Sequence, residues 1–190
     1  MNQVSLYNAL KSSYGDKQAK AQLANAGYNY DSMLSNHNQQ VWYNPTEKKL
    51  LYNVAGTHNL SDWGTDVYLA MGKLKDTNRY KEADNILKQA KAKYNPANTT
   101  VTGHSLGSTI ANQIASKGNG DQVYALDGGF TIGQKISNNP NFHNYRTAGD
   151  VVSILGAPSK NMMTLANENL LKDPLTAHHV ENIQGKNLYV

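Results

Sequence analysis

Val101-Thr102-Gly103-His104-Ser105-Leu106-Gly107-Ser108 sits where the periodicity of the chain changes. Upstream, Thr99 to Thr102 is rich in β-branched residues and predicts a short buried strand. Downstream, Leu106, Ile110, Ala111, Ile114 and Ala115 recur at helical spacing, so the chain has to turn from strand to helix at Ser105. Gly103 and Gly107 lie two residues to either side of that serine, where side chains would collide with the backbone of so tight a turn. A serine in this setting stands on the tip of the turn with its hydroxyl presented, the G-x-S-x-G elbow. The amide of Leu106 opens the helix, where free N–H groups and the helix dipole favour developing negative charge. An ordinary β–α turn whose serine caps the helix has the same local pattern. What separates the two readings is whether a base, an acid and a second hydrogen-bond donor exist elsewhere in the chain.

The 190 residues make one domain with room for a proper core. A hydrophobic share of 39% and a mean hydropathy of −0.62 describe a polar globular chain whose polarity rests on Asn, Gln, Lys and Tyr. With no cysteine, disulfides, thiolate metal sites and a cysteine nucleophile are excluded. The formal charge of +4 is mild and unclustered, which argues against nucleic-acid binding and leaves room for weak attraction to anionic lipid surfaces. Met1 to Gly15 has no signal-peptide pattern, and no apolar run is long enough to span a membrane. The expected protein is therefore soluble, cytoplasmic or virion-associated rather than classically secreted. The abundance of Asn, Lys and Tyr adds a compositional hint of an AT-rich, viral origin.

Leu6 to Lys11 and Asp16 to Ala26 predict two helices broken at Tyr14-Gly15, the second ended by Gly27. Gln40 to Asn44 and Lys49 to Val54 predict a hairpin around Pro45-Thr46. A helix follows from about Arg79 to Tyr94, stopped by Asn95-Pro96. Strands are expected at Gln122 to Leu126 and Asn144 to Thr147. This alternation predicts an α/β fold, a mainly parallel central sheet with helices on both faces.

Acyl transfer by a serine needs an imidazole to take its proton and a carboxylate to orient the imidazole. The acids after Ser105 are Asp121, Asp127, Asp150, Glu168, Asp173 and Glu181; the histidines are His143, His178 and His179. Asp127 and Asp150 each follow a predicted strand, at the carboxyl ends where chemistry gathers in parallel sheets. Asp173 precedes Pro174 and reads as turn chemistry. No metal site is expected: neighbours such as His178-His179 point apart, and no H-E-x-x-H occurs.

Beyond the elbow, Gly56-Thr57, Asp62-Trp63-Gly64-Thr65-Asp66, Asp150-Val151-Val152 and His178-His179-Val180-Glu181-Asn182 follow one another in order. With Gly103 to Gly107 they resemble the motifs of the class 3 (fungal-type) lipases of the α/β-hydrolase superfamily, across roughly residues 50 to 183. The resemblance implies a compact α/β-hydrolase with Ser105 as nucleophile, Asp150 as orienting acid and His178 as base. It places Thr57 and the Leu106 amide in the oxyanion hole, needs no cofactor, and implies lipid or other ester substrates. Three departures stand out. Ala55 occupies the place of the family's arginine before Gly-Thr, Ser108 that of the elbow's final glycine, and His179 that of the serine after the base. The short span from Trp63 to the Arg79–Tyr94 helix leaves at most a minimal lid, with Val67 to Lys75 as its candidate.

Asp127 and His179 stay as the alternative acid and base. His58 and Trp63 are candidate substrate contacts, and Met162 and Met163 are either core or the lining of an acyl pocket. His104 is expected to be structural, beneath the elbow. The expected activity is hydrolysis of carboxylic esters of lipids. Phospholipase A-type action at membranes, and a catalytically idle hydrolase fold used as a binding module, are the alternatives.

Overall fold

Continuous burial along one strand shows that both faces of the sheet are covered. In β3 (Lys49–Val54), Leu50, Tyr52 and Val54 pack into one hydrophobic cluster and Leu51 into another. A strand points successive side chains to opposite faces, so two packed layers are needed to cover them. The computed structural model describes residues 3–57, 73–115, 120–129, 139–150, 162–167 and 176–190. Asp62 to Asp66, His58, Trp63, most of the Val67–Lys75 candidate lid, Val151-Val152, Glu168 and Asp173 lie outside them.

Among the described residues the sheet has seven strands in the order β1-β2-β3-β4-β5-β6-β7. β1 (Asn29–Tyr30) pairs antiparallel with β2 (Gln39–Asn44), and β2 antiparallel with β3. From β3 through β4 (Asn98–His104), β5 (Gln122–Leu126), β6 (Phe142–Thr147) and β7 (Met162–Leu165) every pairing is parallel. Parallel strands require crossovers, which the helices supply.

On one face lie α3 (Asn78–Tyr94) and α4 (Leu106–Ala115), whose Tyr80, Ala83, Leu87, Ile110 and Ile114 meet Val54, Val101 and Val123. On the other lie α1 (Leu6–Ser13), α2 (Lys17–Asn25) and the C-terminal 3-10 turn Val180–Ile183. There Leu6 and Leu10 join Leu126, Leu165 and Ile183, while Ala9 and Leu23 join Trp42 and Leu51. Each such buried leucine is worth about 1.5–3 kcal/mol. Side-chain caps set the helix starts: Ser5 accepts from Asn8 N at 3.1 Å, Asp16 from Ala19 N at 2.8 Å, and Thr77 from Tyr80 N at 3.2 Å.

The expected α/β architecture, hairpin and helices agree with the observed elements to within a few residues. Two strands escaped the pattern. β1 has two residues, too few to carry a period, and β7 is Met-Met-Thr-Leu, with only one β-branched residue. Met162 and Met163 therefore do not form core: they sit on the last strand of the sheet among the described residues, and Met163 is 56% exposed. No helix of the described residues is long and apolar enough to cross a membrane.

Candidate active site

The carboxyl ends of β3, β4, β5 and β6 deliver the chemistry-bearing residues. β4 ends at His104, and Ser105 follows at φ 57, the left-handed region a serine enters only under constraint. The constraint is packing. A Cβ on Gly103 would overlap the Gly107 carbonyl, and one on Gly107 the Val54 carbonyl. The Ser105 N–H donates to the Leu126 carbonyl at 3.0 Å, tying the turn to the end of β5. α4 starts at Leu106, so its amide is among those the helix cannot satisfy internally. Ser108, in place of the elbow's last glycine, is buried against Gly128, whose missing side chain leaves the room.

β6 stops at Thr147, the chain turns through Ala148-Gly149, and Asp150 closes that turn with its N–H on the Thr147 carbonyl at 3.1 Å. His178 ends the 3-10 turn Thr176–His178. Asn182 staples that segment by donating to the carbonyls of Thr176, Ala177 and His179. The His178 Nδ1 lies 2.9 Å from Asp150 Oδ1, and both side chains are buried. Beside an ionised carboxylate Nδ1 carries the proton, which leaves the lone pair on Nε2.

The two alternatives do not form this pair. Asp127, also at a left-handed φ of 50, spends both carboxylate oxygens on Thr147: the N–H at 2.6 Å and the hydroxyl at 2.9 Å. His179 is 45% exposed and faces Glu181 at 4.0 Å.

His104 lies under the elbow, and its hydrogen bonds fix its tautomer. The His178 carbonyl can only accept, so His104 Nε2–H donates to it at 2.7 Å. Nδ1 is then an acceptor and takes the Tyr14 O–H at 2.7 Å, while the Tyr14 oxygen accepts the Gly56 N–H at 2.9 Å. Burial, and after it the neighbouring His178, push the His104 pKa down to about 3, so the ring is neutral.

Thr57, Tyr14, His104, His178 and His179, with Lys11, Val180 and Glu181, line a cleft of about 220 Å³. Met162 and Met163 do not line it. Ala55, where the resemblance leads one to expect arginine, has its carbonyl bonded at 2.7 Å by Arg79 Nη2 from α3. Tyr14 and Arg79 escaped sequence reasoning, because neither stands in a motif and both act across long stretches of chain.

His104, Asp127 and His178 offer the one grouping of metal-ligating types among the described residues, their ligand atoms within 4.8 Å of one another. His104 and Asp127 have both their polar atoms in the hydrogen bonds just given, and His178 has its Nδ1 on Asp150.

Burial, then the nearby Asp150 charge, raise the Asp127 pKa to about 7; His178 and the two Thr147 bonds act the other way. Between the ordinary carboxylate value of 3.8 and about 7, the folded state then binds more protons than the unfolded one, so this group lowers stability as pH rises through that window. His104 does the reverse, costing stability as pH falls from 6.5 toward about 3. Asn is isosteric with the protonated acid. Asp127→Asn is therefore expected to stabilise the fold by an amount that grows from pH 4 to 7 and then levels off. Urea midpoints of both proteins across that range check this.

Known structures supply a comparison for this geometry. No protein-family model and no curated protein sequence matches the chain. Solved structures do match in fold. With the mono- and diacylglycerol lipase of Aspergillus oryzae the TM-score is 0.52 at 17% identity, covering 82% of this chain and 71% of that one. With a mutant MDLA of Penicillium cyclopium it is 0.50 at 18% identity, over 88% and 78%. With the Rhizomucor miehei lipase in its propeptide complex it is 0.51 at 13% identity, over 84% and 66%. At such identities the likeness is one of backbone. The chain has the α/β-hydrolase fold in a compact version, laid out as in the fungal class 3 lipases.

Proposed function

We propose that this protein is a serine hydrolase that cleaves carboxylic esters of lipids. The observation that carries this is the buried His178–Asp150 pair, closed at 2.9 Å at the same end of the sheet as a serine held in the left-handed region. Ser105 Oγ attacks the ester carbonyl while His178 Nε2 accepts its proton, and Asp150 holds the imidazole in the tautomer that makes this possible. The oxyanion forms against the N–H groups of Thr57 and Leu106; one such donor is typically worth ~10²–10³ in rate. His178 passes the proton to the departing alcohol. Water then adds to the acyl-enzyme with His178 again as base, and the acid leaves. No step requires a cofactor.

Treatment with a p-nitrophenyl alkylphosphonate, followed by peptide mapping, is expected to place a single covalent adduct on Ser105. An unmodified Ser105 under conditions that label a control hydrolase would refute the proposal and favour the idle, binding-module reading. The +4 charge favours attraction to anionic bilayers, the setting for phospholipase A-type action. Parallel assays on triacylglycerol emulsions and phospholipid vesicles separate that activity from neutral-lipid hydrolysis.

A further inference from the structure

One peptide group in the candidate site is held at both of its poles. The carbonyl of Ala55 and the N–H of Gly56 belong to the same peptide plane. The carbonyl accepts from Arg79 Nη2 at 2.7 Å, and the N–H donates to the Tyr14 hydroxyl at 2.9 Å. The two side chains arrive from opposite sides of the sheet, Arg79 on α3 and Tyr14 at the C-cap of α1.

This plane is pressed against the elbow. A Cβ on Gly56 would lie 2.6 Å from the Tyr14 oxygen, 2.8 Å from the His104 carbonyl and 2.9 Å from the Ser105 Cβ. The next N–H along the chain is that of Thr57. With the preceding plane locked, the direction of the Thr57 N–H depends only on the torsions at Gly56. Without the lock, rotation of that plane would turn the Ala55 carbonyl and carry the Thr57 donor away from its target. A donor helps an oxyanion only when it is aimed before the charge develops.

Stability alone does not account for Arg79. Its guanidinium is buried deeply enough to lower its pKa, and its Nε has no partner among the described residues. Leaving such a donor unsatisfied opposes folding. The Tyr14 hydroxyl is likewise committed. It links the Gly56 N–H to His104 Nδ1, and His104 Nε2 continues to the His178 carbonyl. The loop before Thr57 and the segment that carries His178 are thus joined through one phenol and one imidazole.

We infer that Tyr14 and Arg79 are positioning residues that clamp the Ala55–Gly56 peptide and so aim the Thr57 donor at the carbonyl oxygen of the substrate. The inference rests on the hydrolase reading above. Arg79 thereby supplies from α3 a cation at the loop where Ala55 offers none.

The test uses the full chain, p-nitrophenyl butyrate as substrate, and an alkyl boronic acid as a mimic of the tetrahedral oxyanion. Tyr14→Phe and Arg79→Met are each expected to lower kcat by ~10-fold or more, with KM within about twofold. Boronate affinity should weaken in step with kcat. Both changes release the same plane, so the double variant should lose little more than the worse single one. Arg79→Lys, which can still reach the carbonyl, should recover most of the lost kcat. Thermal midpoints confirm that each variant is folded, and should Arg79→Met fail to fold, Tyr14→Phe and Arg79→Lys carry the comparison. Folded single variants with wild-type kcat, or losses that multiply in the double variant, would overturn the clamp while leaving the hydrolase reading intact. A wild-type protein without Ser105-dependent turnover would instead overturn the hydrolase reading, and the clamp would fall with it.

Discussion

Ser105→Ala is expected to lower kcat on p-nitrophenyl butyrate by ~10⁴–10⁶ while the protein stays folded. The size follows from the division of labour in a serine hydrolase. Without the nucleophile, the donors and the binding cleft still act, but only on direct attack by water, so a residual rate over the uncatalysed reaction survives. Stability should change little. The substitution removes one oxygen, and alanine inherits the left-handed backbone at this position without added bulk. The glycine contacts that force the turn, at Gly103 and Gly107, are untouched. Progress curves for both proteins at equal concentration, with circular dichroism to verify folding, make the measurement. Equal turnover in the two would remove the enzyme reading.

The second large effect separates the two adjacent histidines. His178→Ala should abolish turnover to a similar degree, whereas His179→Ala should retain most of it. The reason is orientation: His178 turns its Nδ1 into the buried Asp150 carboxylate, and His179 turns outward toward Glu181. Asp150→Asn should cost ~10⁴ in kcat. Its amide offers an N–H to His178 Nδ1, which drives the ring into the tautomer with a protonated Nε2 that cannot accept from the serine. Asp127→Asn leaves Asp150 and His178 in contact and should retain activity. A large loss in His179→Ala with an active His178→Ala would reassign the base, and the same reversal between Asp127→Asn and Asp150→Asn would reassign the acid.

The parts of this site legible from the chain are those written in local pattern. A β-branched run, two glycines spaced around a serine and a helical apolar stripe lie within a few residues of one another, and local sterics connect them. The hairpin at Gln39–Asn44 and Lys49–Val54 and the long helix Asn78–Tyr94 were visible for the same reason: their periods repeat within the element. Met162 and Met163 could not be read as a strand, because an apolar pair has no period, and it is pairing with β6 that makes them one.

Asp127 and Asp150 share the same local pattern. Both follow a strand and both are buried, so local pattern does not separate them, and the resemblance of Asp150-Val151-Val152 to the lipase motif is what put Asp150 first. Their hydrogen bonds differ: Thr147 occupies both oxygens of Asp127, and Asp150 reaches an imidazole 28 residues further on. Tyr14 and Arg79 carry no motif at all. Tyr14 is 90 residues from His104 and 42 from Gly56, and Arg79 is 24 from Ala55.

The amino-acid sequence by itself determined the strand–turn–helix elbow, the alternation that makes the sheet parallel, and a short roster of acids and imidazoles. Short-range backbone sterics and side-chain periodicity need only neighbouring residues to act. The contact between Asp150 and His178, which the motif resemblance only implied, and what holds the loop before Thr57 were decided by the tertiary structure. A hydrogen bond of 2.7–2.9 Å depends on where two distant segments come to rest, and no spacing along the chain records that.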